Sequence, residues 1–137
     1  MTAPYDPGRD AAERYPDWVI RHRPLHGVPE VLSWKHRTIL IDSDQSWAAK
    51  RCSLAHALAH LDLDHRETLG GRYERREEQQ ADELAATRMI PFDALIEAAV
   101  WTRDVDELAE ELNVDRTLLV VRIEGLSREQ RFRLDVA

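Results

Sequence analysis

Ser53-Leu54-Ala55-His56-Ala57-Leu58-Ala59-His60-Leu61 (residues 53–61) sets two imidazoles four positions apart within a run of helix-forming alanines and leucines. On an α-helix, side chains at i and i+4 lie on one face, a turn apart, so His56 and His60 can reach the same ion. In His-Glu-x-x-His zinc sites the residue after the first histidine is a glutamate that serves as general base. Here that residue is Ala57. The stretch reads as a metal-binding helix that lacks its base. The spacing is not specific by itself, because the chain holds six histidines and a polar helix face can place two of them a turn apart by chance.

A second segment makes it specific. Glu78-Gln79-Gln80-Ala81-Asp82 puts two carboxylates at i, i+4. A tetrahedral zinc that keeps one open position needs a third protein ligand, and carboxylate oxygen is a normal choice. A ligand histidine also needs a partner for its other ring nitrogen. Glu78 as ligand and Asp82 as orienting partner fill both places. A solvated acidic face formed by Glu77, Glu78, Asp82 and Glu83 would explain the charge but not the alanines beside it. Ala55, Ala57 and Ala59 on the first helix and Ala81, Ala85 and Ala86 on the second let the two axes approach to the low end of about 8–10 Å.

Outward from this pair, the chain reads as a strand block followed by helices. Residues 17–24 alternate Trp18 and Ile20 with polar neighbours, and residues 30–34 and 37–41 form two more strands. Helices are expected over 45–63, 73–90, 92–101, 104–112 and 115–124, with Gly70-Gly71 as a break, Pro91 as a stop and Ser127 capping a last short one. The fold class is α+β: a small antiparallel three-stranded sheet on a bundle of about five helices. The strand at 37–41 is expected to be the sheet edge that pairs with an extended substrate. Residues 1–16, rich in proline and polar groups, read as a flexible lead-in rather than a signal peptide, and 17–137 as a single domain.

These segments resemble the ImmA/IrrE family of metallo-endopeptidases. The matching residues are Leu54-Ala55-His56 with His60, then Glu78, Ala81-Asp82 and Ala85, then Met89-Ile90-Pro91. The resemblance implies zinc held by His56, His60 and Glu78, in a site of the gluzincin kind. It also implies a function. Members are encoded by phages, mobile elements and bacteria, and act on helix-turn-helix repressors to release silenced genes. The departure at Ala57 leaves two readings: a zinc endopeptidase with its base removed, or a natural pseudopeptidase that binds a regulator without cutting it. The intact remainder of the site favours removal, since a lineage without catalysis has less need to keep four matched groups.

Composition bounds these readings. At 137 residues and 43% hydrophobic, the chain suffices for one core. A net charge of -7 opposes a partner bound through phosphates. Residues 104–125 have the rhythm of a helix-turn-helix, but hold seven acids against Arg116 and Arg122, so they read as packing rather than as a DNA contact. One cysteine, Cys52, cannot form an internal disulfide, which fits a cytoplasmic protein, and no apolar run is long enough to span a membrane. Cys52 reads as a small buried hydrophobe, and His65, five residues after His60, as a surface residue. Trp47, Trp101, Leu118 and Val121 are expected in the core.

Overall fold

A computed structural model of the chain describes residues 4–66 and 73–137. Helix α2 (Trp47–Asp62) is capped by Ser46, whose hydroxyl accepts from the Ala49 N–H at 3.1 Å. It is buried on two sides. Cys52, Ala55 and Ala59 join a core with Ala81, Ala85, Ala86 and Met89 of α3 (Arg75–Met89). Ala57, Leu58 and Leu61 join a second core with Leu32, Ile39 and Ile41 of the sheet. A helix enclosed in this way needs small or apolar residues around most of its circumference, which is what residues 52–61 provide.

The sheet consists of β1 (Val19–Arg23), β2 (Glu30–Ser33) and β3 (Thr38–Asp42), in the order β1-β3-β2. β2 and β3 form an antiparallel hairpin, with Val31 opposite Leu40, whereas β1 runs parallel to β3, with Ile20 beside Ile39. The sheet is therefore mixed, not antiparallel. The β1–β2 link contains Pro24, Pro29 and two residues of positive φ, His26 and Gly27, and carries the chain past β3 instead of closing a hairpin. β3 is consequently central, with Ile39 and Ile41 at 0% and 1% exposure, and not the edge expected for substrate pairing. The edges are β1 and β2.

The described residues contain seven helices rather than about five. The α+β class holds, and residues 92–101 form α4 (Phe92–Trp101) as expected. The lead-in is corrected: Pro7–Arg14 is helix α1, capped by the Asp6 carboxylate, which accepts from the Gly8 and Arg9 N–H groups. Proline at the first helical position behind an Asp cap is a start signal rather than a breaker. Ala11, at 2% exposure, seats this helix in the sheet-side core. Helices α5 (Val105–Leu112) and α6 (Arg116–Glu124) meet at Asn113, which adopts the left-handed conformation at φ 55. Helix α6 packs on α3, burying Leu118 and Leu119, and Arg122 donates to the Ile90 carbonyl at 2.7 Å. The expected helix-turn-helix face is thus spent on packing. Ser127 caps α7 (Arg128–Val136). Trp47 and Trp101 are 68% and 84% exposed and do not belong to the core; Trp47 is the first residue of α2 and Trp101 the last of α4. The Gly70-Gly71 break lies outside the described residues.

Asp62, the last residue of α2, ties three elements together. Arg14 donates to it from α1 at 2.8 Å, the Tyr15 hydroxyl donates to it, and Arg88 of α3 approaches to 2.7 Å. Burial disfavours the Asp62 carboxylate, but these partners outweigh it and hold its pKa below the ordinary value. A depressed pKa contributes stability above the ordinary carboxylate range, and that contribution is lost as pH falls through the folded value. Asp62→Asn should therefore lower stability by about 1–3 kcal/mol at neutral pH. In thermal melts followed by circular dichroism, the gap to the parent should narrow as pH is lowered towards about 3.

Candidate metal centre

Helices α2 and α3 pack through alanines, so the turn carrying His56 and His60 faces the turn carrying Glu78 and Asp82. His60 Nε2 lies 2.7 Å from Glu78 Oε1, and His56 Nε2 lies 3.9 Å from the same oxygen. One donor atom from each of His56, His60 and Glu78 falls within 4.8 Å of the other two, a grouping able to hold a metal ion. The cavity beside it, about 180 Å³, is bordered by Pro29, Glu30, Cys52, Asp115 and Leu118 as well as by His56, Glu78 and Asp82.

Asp82 reaches His56, as expected, but at a different nitrogen. Its Oδ1 lies 3.1 Å from Nε2, the nitrogen that faces Glu78, while Nδ1 is engaged by Glu30 at the start of β2. Glu30 is thus the group placed to orient His56, and the sequence gives little sign of it. It stands 26 residues upstream in an ordinary strand, and only the β2–α2 packing brings it in. Despite the nearness of Asp82, His56 Nε2 is buried without a hydrogen bond in acceptable geometry. A buried, orphaned imidazole nitrogen facing two carboxylates is the donor set a divalent cation completes.

The carboxylates around His56 favour positive charge at this point. Burial opposes the imidazolium of His56, but the Asp82 and Glu30 carboxylates prevail and raise its pKa to about 10. The contact with His60 is the largest influence on Glu78, and its pKa stays below the ordinary carboxyl value despite partial burial.

His65 is corrected from surface to interior, at 6% exposure. The helix ends at Asp62, Asp64 turns left-handed at φ 55, and the His65 N–H donates back to the His60 carbonyl at 2.9 Å. This reversal folds the His65 ring beneath α2, where helical periodicity no longer predicts its direction. Its Nδ1 lies 3.0 Å from His60 Nδ1. The Tyr73 ring stacks on His60 with centroids 3.7 Å apart. Ala57 is 1% exposed and belongs to the sheet-side core that also holds Leu58 and Leu32.

Two histidines on one helix and a carboxylate on the next, beside a small sheet, form a candidate metal centre of the kind found in metallopeptidases. The family model described as Peptidase M78, the IrrE N-terminal-like domain, matches residues 11–124, and the chain belongs to that family. No curated protein matches the chain. No helix among the described residues is long and apolar enough to cross a membrane.

Cys52 lines the same cavity, at 4% exposure, with its sulfur 3.5 Å from the Asp115 N–H. Burial pushes its thiol up to about 12. The folded protein should leave Cys52 unmodified by a disulfide reagent at about pH 8, with one thiol titrating on unfolding, as read by absorbance. Rapid modification of the native chain would show that this face of α2 opens to solvent.

Proposed function

We propose that this chain is a zinc-dependent endopeptidase domain of the ImmA/IrrE type that engages a helix-turn-helix repressor, and that it is catalytically silent because Ala57 occupies the place of the base. The convergence of His56, His60 and Glu78 around the orphaned His56 Nε2 carries this reading. His56, His60 and Glu78 would hold the ion, Glu30 would orient the His56 ring, and Asp82 would stand at the same nitrogen as the metal. Bound zinc would supply a Lewis acid able to polarise a peptide carbonyl. What the chain lacks is a side chain at position 57 to take up a proton.

Zinc should bind at one ion per chain, and His56→Ala or Glu78→Ala should abolish it by elemental analysis after desalting. Glu30→Ala and Asp82→Ala should each weaken affinity by about 10–100-fold in competition with a chromophoric chelator. An unchanged affinity in Asp82→Ala would remove that residue from the site.

Loss of a positioned base commonly costs about 10²–10⁴-fold, so the chain as it stands should be nearly inert towards peptide bonds. Zinc-loaded Ala57→Glu, incubated with a helix-turn-helix repressor encoded nearby, should yield discrete fragments by mass spectrometry. Position 57 is enclosed by apolar neighbours, so a thermal melt of the variant accompanies the assay and separates misfolding from inactivity. A folded variant that binds the repressor without cutting it would favour the natural pseudopeptidase. One that neither binds nor cuts would remove the repressor as partner.

A further inference from the structure

His65 is buried, polar and unused by the metal site as described, yet both of its ring nitrogens are engaged. Its Nδ1 lies 3.0 Å from His60 Nδ1, and its Nε2 lies 3.0 Å from Oε1 of Gln80, which stands on α3 between Glu78 and Asp82. The remaining contacts fix both rings in place. Trp34 Nε1 donates to the His65 carbonyl at 2.8 Å, and Tyr73 stacks on the face of His60.

We propose that His65 and Gln80 are positioning residues that hold His60 in the tautomer able to ligate a metal through Nε2. The inference rests on the metal site read above and adds two residues to it. Only one proton can lie between two facing Nδ1 atoms, so the direction of this hydrogen bond is a definite property of the fold. Gln80 turns its amide oxygen to His65, the orientation that pairs with a proton on His65 Nε2, donated there. That leaves His65 Nδ1 with a lone pair, which must receive the proton on His60 Nδ1. With its proton on Nδ1, His60 can give its Nε2 lone pair to a cation, which would replace the contact that Nε2 makes with Glu78 Oε1 at 2.7 Å. The partner that orients a ligand histidine is usually a carboxylate, a carbonyl or a water. Here a second imidazole does this work, and a glutamine on the helix that supplies Glu78 sets its direction. The same helix therefore contributes one donor directly and determines the proton position of another.

Two measurements on the full chain test this. In the zinc-loaded parent, long-range ¹H–¹⁵N correlation spectra should show His60 protonated at Nδ1 and His65 protonated at Nε2. A proton on His65 Nδ1 would overturn the proposal. Zinc affinity should fall about 10-fold or more in Gln80→Leu, which removes the acceptor at an exposed helical position, and in His65→Phe, which removes the acceptor for His60. Gln80→Glu keeps an acceptor and should retain parental affinity, which a loss through general destabilisation would not predict. If the buried His65→Phe variant fails to fold, Gln80→Leu and Gln80→Glu carry the test. Parental affinity in Gln80→Leu would sink the inference while leaving the metal site intact. Absence of zinc binding in the parent would instead remove the site itself.

Discussion

Close packing of α2 on α3 is the constraint on which the rest depends. Ala55 and Ala59 meet Ala81 and Ala85 with essentially no exposed surface on any of them. Larger side chains at these positions would separate the helices by an ångström or more, and two pairs of donors on facing turns would no longer share one point. The alanines are thus as much a part of the metal centre as the histidines. Cost follows from the same geometry, because alanine buries little apolar area, so the domain draws its stability from flanking layers. The sheet closes one side of α2 through Ile39 and Ile41, and α6 covers α3 through Leu118 and Leu119. Asp62 then joins α1, α2 and α3 by charge.

The centre concentrates opposite charges that balance only when all are present. His56 is flanked by Glu30 and Asp82, His60 by Glu78, and the surrounding cavity adds Asp115. Burial raises the Asp115 pKa despite its accepting the Leu118 N–H at 2.8 Å. A divalent ion would relieve this crowding of carboxylates and would use His56 Nε2, which lacks a hydrogen bond among the described residues. The orienting groups come from three directions: β2 supplies Glu30, the turn after α2 supplies His65, and α3 supplies Gln80.

Ala57 is the position at which this chain departs from the His-Glu-x-x-His pattern. It lies between the two histidines in sequence and is buried, at 1% exposure, with the sheet-side core that holds Leu32, Ile39 and Ile41. The grouping of His56, His60 and Glu78 stands beside an alanine at this position in a chain that belongs to the M78 family.

Much of this was legible along the chain because it is local. The i, i+4 pairs, the alanines beside them, the cap at Ser127, and the stop at Pro91 depend on helix periodicity and neighbouring backbone groups. The α+β class and the grouping of His56, His60 and Glu78 followed from these signals. Asp6 and Pro7 carried a local signal too, but among other prolines they read as loop until α1 was seen seated on Ala11. What the sequence could not determine lies where the chain leaves its helices or crosses between elements. The parallel placement of β1 depends on where a turn of two left-handed residues delivers the strand. The approach of Glu30 to His56 depends on the packing of β2 against α2, and the burial of His65 on a left-handed Asp64 that ends the periodicity. Sequence spacing reports direction only while a helix or strand continues; beyond its end, direction is decided by tertiary contacts, and the orienting half of this centre lies there.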